Sequence, residues 1–296
     1  MFQIEHIENT ILLKDSKSES FAHIFLDLGG SLQELTLKTT KIIKNLKSVD
    51  YNNSFSSAIL FPFTNRIKGG KYSFNNQKYE LELNENNENA IHGLVHNKKY
   101  KLVSKETSED YAKVTLSYKE DQKPKGFPFN FEILLTYTLS FKSLNLEVIV
   151  KNTDAIPFPF TLGWHPYFYS SDLFNSYLNF LSTKKIIFDK KMIPVKVENI
   201  SPIHEKFQIK NNKYDDCYIV NDKNLYFETP NYSIDIKSSS NENYFQLYTP
   251  YKLNSIAIEP MTGPSNSFNN KLGLKILKPN EDYHVNWEIK LINSKP

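Results

Sequence analysis

The segment that decides the fold spans residues 131–150 and reads FEILLTYTLSFKSLNLEVIV. Apolar and polar side chains alternate with a period of two on both sides of Lys142-Ser143, which predicts two β-strands joined by a two-residue turn. A second hairpin is predicted where residues 71–74 and 78–83 flank Asn75-Asn76, because asparagine tolerates the positive φ of a tight turn.

The same period of two continues along the rest of the chain. Further alternating runs occur at residues 2–7, 32–37, 112–118, 232–236, 254–258 and 283–292. Helical periodicity is almost absent, and aromatic residues make up 14% of the chain. Because the sequence also lacks internal repeats and low-complexity linkers, it predicts an all-β protein, a large antiparallel β-sandwich formed by one domain over residues 1–296.

Composition excludes several classes of function. The net charge is +3, but the basic runs are no longer than pairs and acidic residues lie between them, so nucleic acid is not an expected partner. Cys217 is the sole cysteine, which fits a reducing compartment and a packed thiol rather than a nucleophile. The start of the chain lacks a signal-peptide pattern, and apolar stretches such as 58–63 are too short to cross a membrane. A soluble, cytoplasmic protein is predicted.

Arginine occurs only at position 66, although lysine and arginine together number 36. A guanidinium binds two oxygens in fixed geometry, whereas a lysine ammonium is a rotating point charge. Asn65 adds a donor and an acceptor beside it, and Gly69-Gly70 allow the backbone to turn sharply or to approach a ligand. The pattern favours an arginine that binds a ligand, and the alternative is a structural ion pair.

Four other segments place titratable residues where strands are interrupted. They contain His92 in AIHGL (90–94), His165 in GWHPYF (163–168), Asp215 and Asp216 in KYDDCY (213–218), and Glu259 in IAIEPMTGPSNSF (256–268). A lone histidine is more often structural, and adjacent aspartates also fit a turn or a strand cap. Glu259 is the strongest candidate, because a carboxylate at the end of an apolar strand is either paired with a cation or acts as a base.

Taken in order, these segments resemble the aldose 1-epimerase (galactose mutarotase) family over nearly the whole chain. The matching motifs are Asn65-Arg66 ahead of Gly69-Gly70, His92-Gly93 after an Asn-rich loop, His165-Pro166-Tyr167-Phe168, Asp215 at the start of a strand, Glu259 before a loop with Pro264, Asn266 and Phe268, and the closing segment 273–281. The resemblance implies a β-supersandwich with a sugar cleft. Leu94 and Pro166 depart from the best-known galactose mutarotases, so the resemblance does not identify galactose as the sugar.

The activity implied by the resemblance is an isomerase that interconverts the α and β anomers of a free aldose by ring opening and reclosure. Glu259 would be the base that removes the C1 hydroxyl proton, and His165 the acid that protonates the ring oxygen. A glutamate beside a histidine is expected to raise the imidazole pKa and to lower its own.

The remaining site residues are implied to bind the sugar. His92 and Arg66 would hold hydroxyls and stabilise charge on the ring oxygen, while Asp215 and Asn65 orient the substrate. Asp215 is preferred over Asp216 for this role.

No cofactor and no metal are predicted, because the sequence lacks a metal-ligand cluster, a phosphate-binding glycine loop and a dinucleotide fingerprint. Three aromatic residues could form an apolar wall for a pyranose, although core packing is expected for at least two of them: Trp164, Tyr167 and Phe168. The predicted partner is a small-molecule sugar, and the protein is expected to be a monomer or homodimer.

Three alternatives stay open at the level of sequence. One is a non-catalytic sugar-binding protein on the same scaffold. Another is a glycoside hydrolase with Asp215 and Glu259 as its two carboxylates, which leaves both histidines unexplained. The third is a hexose-6-phosphate 1-epimerase, in which lysines such as Lys98 and Lys99 would bind the phosphate.

Overall fold

A computed structural model describes residues 1–46, 49–241, 243–250 and 254–294. The strands are β1 (Phe2–Ile7), β2 (Thr10–Asp15), β3 (Ser20–Phe25), β4 (Ser31–Leu37), β5 (Thr40–Ile43), β6 (Ile59–Leu60), β7 (Arg66–Lys68), β8 (Lys71–Phe74), β9 (Gln77–Glu80), β10 (Asn89–Ile91), β11 (Lys101–Thr107), β12 (Tyr111–Glu120), β13 (Phe131–Ser140) and β14 (Ser143–Asn152). They continue with β15 (Phe158–Phe160), β16 (Gly163–Trp164), β17 (Tyr167–Tyr169), β18 (Tyr177–Asn179), β19 (Ser182–Phe188), β20 (Pro194–Ile203), β21 (Phe207–Gln208), β22 (Asp215–Val220), β23 (Asn224–Glu228), β24 (Tyr232–Ser238), β25 (Tyr244–Tyr248), β26 (Ser255–Met261), β27 (Lys275–Leu277) and β28 (Asp282–Ser294).

Helix is confined to two four-residue turns in the described ranges, α1 (Tyr51–Ser54) and α2 (Ser267–Asn270). Neither of these described helices is long and apolar enough to cross a bilayer. The prediction of an all-β chain is therefore confirmed.

Two large antiparallel sheets form the body of the molecule. The nine-stranded sheet has the order β11-β12-β13-β14-β28-β24-β23-β18-β21, and the eight-stranded sheet runs β20-β19-β22-β25-β26-β16-β6 with β17 added beside β26. Strands β1 to β5 form a separate meander. The predicted antiparallel β-sandwich is confirmed.

The two large sheets face each other across an aromatic core. Trp164 of the eight-stranded sheet stacks on Trp287 of the nine-stranded sheet with 6.1 Å between ring centroids, and Phe168 meets Phe227 at a tilted angle with 6.3 Å between centroids. All four side chains are buried. Trp164 and Phe168 therefore pack in the core, and Cys217 is buried as well, as predicted.

The hairpin of residues 131–150 forms, but its turn lies one residue earlier than predicted. Ser140 pairs with Ser143, so Phe141 and Lys142 make the turn, and the two serine hydroxyls hydrogen-bond at 2.7 Å across the end of the ladder. Both registers bring the apolar faces together, since they differ by an even number of residues. Alternation alone could not choose between them.

The second hairpin has the predicted turn and a shorter second strand. Asn75 and Asn76 adopt φ of 48° and 61°, as a two-residue turn with two left-handed residues requires. Strand β9 ends at Glu80 rather than at residue 83.

Candidate active site

One cleft of about 360 Å³ brings together all six residues that the sequence predicts for the site. They are Asn65, Arg66, His92, His165, Asp215 and Glu259. They come from positions as far apart as 65 and 259, so the cleft exists only in the folded chain. Its volume falls in the range of small-molecule sites.

The sheet half of the cleft is built on three neighbouring strands. Glu259 on β26 pairs in register with Gln246 on β25, and Asp215 on β22 pairs with Tyr248 on the same central strand. Gln246 Nε2 donates to Asp215 Oδ1 at 2.6 Å, and Asn65 Nδ2 donates to Gln246 Oε1 at 3.4 Å. This chain of hydrogen bonds fixes the orientation of both amides.

Glu259 lies inside strand β26 rather than at its end, which corrects the prediction from sequence. The strand continues through Pro260 to Met261. Its paired neighbour Gln246 on β25 also lines the cleft, so the carboxylate is presented from within a hydrogen-bonded ladder.

His165 occupies the link between β16 and β17, and its backbone is fixed on both sides. Its N–H donates to the Ala58 carbonyl at 3.0 Å, and its carbonyl accepts from the Ser57 N–H at 2.8 Å. The Tyr167 ring stacks on the imidazole with 5.0 Å between centroids, and the Tyr167 hydroxyl donates to the Ser54 carbonyl. Tyr167 is thus the one aromatic residue of the predicted wall that lines the cleft.

The buried pair of His165 and Glu259 is the centre of the site. His165 Nε2 lies 3.4 Å from Glu259 Oε1, and the two side chains are only 5% and 2% exposed. His165 Nδ1 and Glu259 Oε2 have no hydrogen-bond partner among the described residues. Buried polar atoms are nearly always satisfied, so two unsatisfied atoms in one buried pair are unusual.

The predicted direction of the pKa shifts in this pair is wrong. Burial lowers the pKa of His165 to about 4, and burial raises the pKa of Glu259 well above its usual value, with Asp215 raising it and Arg66 lowering it. The physical reason is that the cost of burying either charge exceeds the attraction between the two groups. Burial therefore favours the neutral form of each group.

His92 packs against His165 in the cleft. The two imidazole rings meet edge to face at 5.0 Å, and Phe55 packs on His92 at 4.6 Å. His92 adopts a φ of 61°, and Gly93 follows it so closely beside Phe61 that a Cβ would lie 2.2 Å from the Phe61 carbonyl oxygen. Burial, and then the nearby His165, lower the pKa of His92, so this imidazole is neutral.

The Arg66 guanidinium is bound by a carboxylate within the cleft. Arg66 Nε donates to both Glu85 oxygens at 2.9 Å, and Nη2 donates to Oε1 at 2.6 Å. Nη1 has no hydrogen-bond partner in the part of the chain that the structure describes. The lone arginine thus makes an ion pair and also lines the cleft.

The two adjacent aspartates have different surroundings. Asp215 lines the cleft, whereas Asp216 lies 2.7 Å from Lys185 Nζ and is not part of the cleft wall. Burial raises the pKa of Asp215, and Arg66 and the hydrogen bond from Gln246 oppose this shift. No cluster of three potential metal ligands occurs within residues 1–46, 49–241, 243–250 and 254–294.

The residues of the cleft wall that sequence reasoning missed include Glu85, Gln246 and Tyr248. Gln246 and Tyr248 can be recognised as site residues only from the pairing of β25 with β22 and β26, which could not be predicted from the sequence. Glu85 belongs to the Asn-rich loop that precedes His92. The single arginine was a signal for it, because a partly buried guanidinium requires a carboxylate or another acceptor.

The chain is similar to several known proteins in sequence and in fold. A curated relative, the uncharacterized protein YihR of Escherichia coli K12, is 25% identical over 275 residues, 88% of this chain and 87% of its own length. The maltose epimerase of Levilactobacillus brevis is 27% identical over 183 residues, 57% of this chain and 53% of that protein. The crystal structure of a galactose mutarotase-like protein from Clostridium acetobutylicum has a TM-score of 0.86 at 23% identity, covering 99% of this chain and 98% of that one. The family model for aldose 1-epimerase matches residues 11–290, and the chain therefore belongs to the aldose 1-epimerase family.

Proposed function

We propose that this protein is an aldose 1-epimerase that interconverts the α and β anomers of a free, uncharged aldose. The observation that carries the proposal is the pair of His165 and Glu259, which are buried and 3.4 Å apart in a cleft lined by hydrogen-bonding side chains. Anomer exchange needs one acid and one base that reach adjacent oxygens of the same sugar, and this pair provides both.

In the proposed reaction Glu259, as a carboxylate, removes the proton from the C1 hydroxyl. His165, as an imidazolium, gives a proton to the ring oxygen while the bond between C1 and that oxygen breaks. The sugar opens to an aldehyde, the bond between C1 and C2 rotates, and the C5 hydroxyl attacks the other face of the carbonyl. The pair then returns both protons in the reverse direction, so the protein ends as it began.

The lowered pKa of His165 and the raised pKa of Glu259 fit this cycle. The ionised pair and the neutral pair hold the same number of protons, so the two forms differ only in where the protons lie. Ring opening converts the ionised pair into the neutral pair. Because burial favours the neutral form, it favours the state that accompanies the open-chain aldehyde.

The other cleft residues suit the binding of a polyol. Arg66 and His92 would donate hydrogen bonds to sugar hydroxyls and to the ring oxygen as its charge increases. Asp215 and Asn65 would orient the ring, and their hydrogen bonds to Gln246 keep them in place.

A substrate panel tests the proposal. Anomer equilibration of free hexoses, free pentoses and hexose 6-phosphates would be followed by NMR or polarimetry, and we expect acceleration of one or more free aldoses. Acceleration of the phosphates alone would favour the hexose-6-phosphate epimerase. Sugar binding without any acceleration would favour the non-catalytic sugar-binding protein.

Among the described residues, no lysine that could bind the phosphate of a hexose 6-phosphate lines the cleft. Lys98 and Lys99, the two candidates from sequence, both lie outside its wall. This arrangement supports the free aldose over the phosphate.

Arg66→Lys tests the role of the guanidinium. Lysine keeps the positive charge but lacks the planar set of N–H donors of the guanidinium. We therefore expect kcat/KM to fall by the equivalent of about 1 to 3 kcal/mol, with little change in the free energy of unfolding. Both quantities would be measured on one purified variant. A lowered Tm with parental kcat/KM would show that the pair with Glu85 serves only the fold.

A further inference from the structure

Glu85 is held in its position by a tight turn. Asn86 and Asn87 adopt left-handed φ of 48° and 57°, and the Asn89 N–H donates back to the Glu85 carbonyl at 3.3 Å. Asn89 Nδ2 also donates to Glu85 Oε2 at 3.1 Å, while Asn89 Oδ1 accepts from the Gly69 N–H. The turn that carries the carboxylate is therefore tied to the turn that follows β7, the strand that contains Arg66.

The contact between Glu85 and Arg66 restricts what the guanidinium can offer to a ligand. Three hydrogen bonds of 2.6 to 2.9 Å use its Nε edge, so the Nη1 group is the part left for a substrate. The two side chains are 18% and 21% exposed, and both line the cleft. The guanidinium is thus held in a single orientation before any sugar binds.

The same contact sets the charge of the cleft. Among the described residues of the cleft wall, Arg66 is the only lysine or arginine, and it faces three carboxyl groups, those of Glu85, Asp215 and Glu259. Because Glu85 cancels the charge of Arg66, an anionic group on a sugar would find no free cation there. It would instead approach the carboxylate of Glu85.

From these contacts we propose that Glu85 is a positioning and specificity-determining residue. It orients the Arg66 fork toward sugar hydroxyls, and it excludes aldoses that carry a carboxylate or a phosphate. The inference rests on the proposed aldose 1-epimerase function and adds the reason why that function is limited to uncharged sugars.

Two substitutions separate the two roles. Glu85→Gln removes the charge and one of the two strong acceptor oxygens. Glu85→Asp keeps the charge, but its side chain is too short to bind the Arg66 guanidinium in the same way. Both variants should raise KM for the best free aldose by about threefold to tenfold, with kcat within about twofold of the parent. Only Glu85→Gln should strengthen competitive inhibition by galacturonate and by glucose 6-phosphate, by about tenfold.

Glu88→Gln is the matched control. Glu88 lies in the same turn, is exposed, and pairs with Lys191 at 3.1 Å outside the cleft wall. Its amide variant should leave KM, kcat and inhibition by both anions at parental values. Binding of galacturonate would also be measured by calorimetry, which does not depend on turnover.

The outcomes distinguish this inference from the proposed function. A parent protein that accelerates free aldoses, together with a Glu85→Gln variant that has parental KM and parental anion binding, would refute the role of Glu85 alone. The same holds if Glu85→Asp admits anions as well as Glu85→Gln does, or if the parent already accelerates uronates or hexose 6-phosphates. A parent that accelerates no aldose refutes the proposed function itself.

Discussion

Glu259→Gln is expected to fold normally, to bind sugar and to lose mutarotation by about 10²- to 10⁴-fold, because an amide cannot accept the C1 proton. The variant should fold because burial raises the pKa of the parent carboxyl and so disfavours a charge at this position, and glutamine has nearly the same shape. Initial rates of anomer equilibration, sugar binding by calorimetry and the Tm would be measured together.

A matched control for this substitution is available elsewhere in the chain. Glu120 is also buried, but it accepts hydrogen bonds from the Tyr118 hydroxyl and the Gln122 N–H and lies outside the cleft wall. Glu120→Gln should keep parental kcat/KM. Activity of Glu259→Gln within about tenfold of the parent would remove Glu259 from the proposed mechanism.

His165→Asn is expected to reduce kcat by a similar factor, about 10²- to 10⁴-fold, because it removes the group that protonates the ring oxygen. The double variant with Glu259→Gln should be little worse than either single variant, since acid and base act in one concerted unit. Single-turnover rates of all three variants would be compared with the parent.

Independent effects would contradict the concerted pair. If the two losses multiply in the double variant, each group acts in a separate step. If His165→Asn retains most of the parental kcat, another cleft residue supplies the proton, and His92, whose ring lies 5.0 Å away, is the first to test.

The sequence predicted the strands well because their apolar residues face one core. Period-two alternation identified the central hairpin, and the paired asparagines identified the turn of the second one, since few residues adopt positive φ twice in succession. The register of the first hairpin could not be predicted, because moving the turn by one residue shifts the pairing by two and preserves both faces.

Only those site residues could be predicted that are unusual in the sequence by themselves. A lone arginine and a carboxylate in an apolar strand are visible without a structure, and both proved to line the cleft. Gln246 was not visible, because its place opposite Glu259 depends on which strands become neighbours. The sign of the pKa shifts was also out of reach, since it depends on how deeply His165 and Glu259 are buried.

The cleft is assembled from two kinds of scaffold, and this has a consequence for how the protein can diverge. Asp215 and Glu259 lie on strands β22 and β26, on either side of β25, where an insertion or a shift of the backbone would disturb the pairing of the whole sheet. Glu85 and the short helix α1 belong to surface turns that can be exchanged at small cost to folding. Over evolutionary time, descendants of this chain can therefore acquire a new sugar preference through their turns while inheriting the same proton-transfer chemistry.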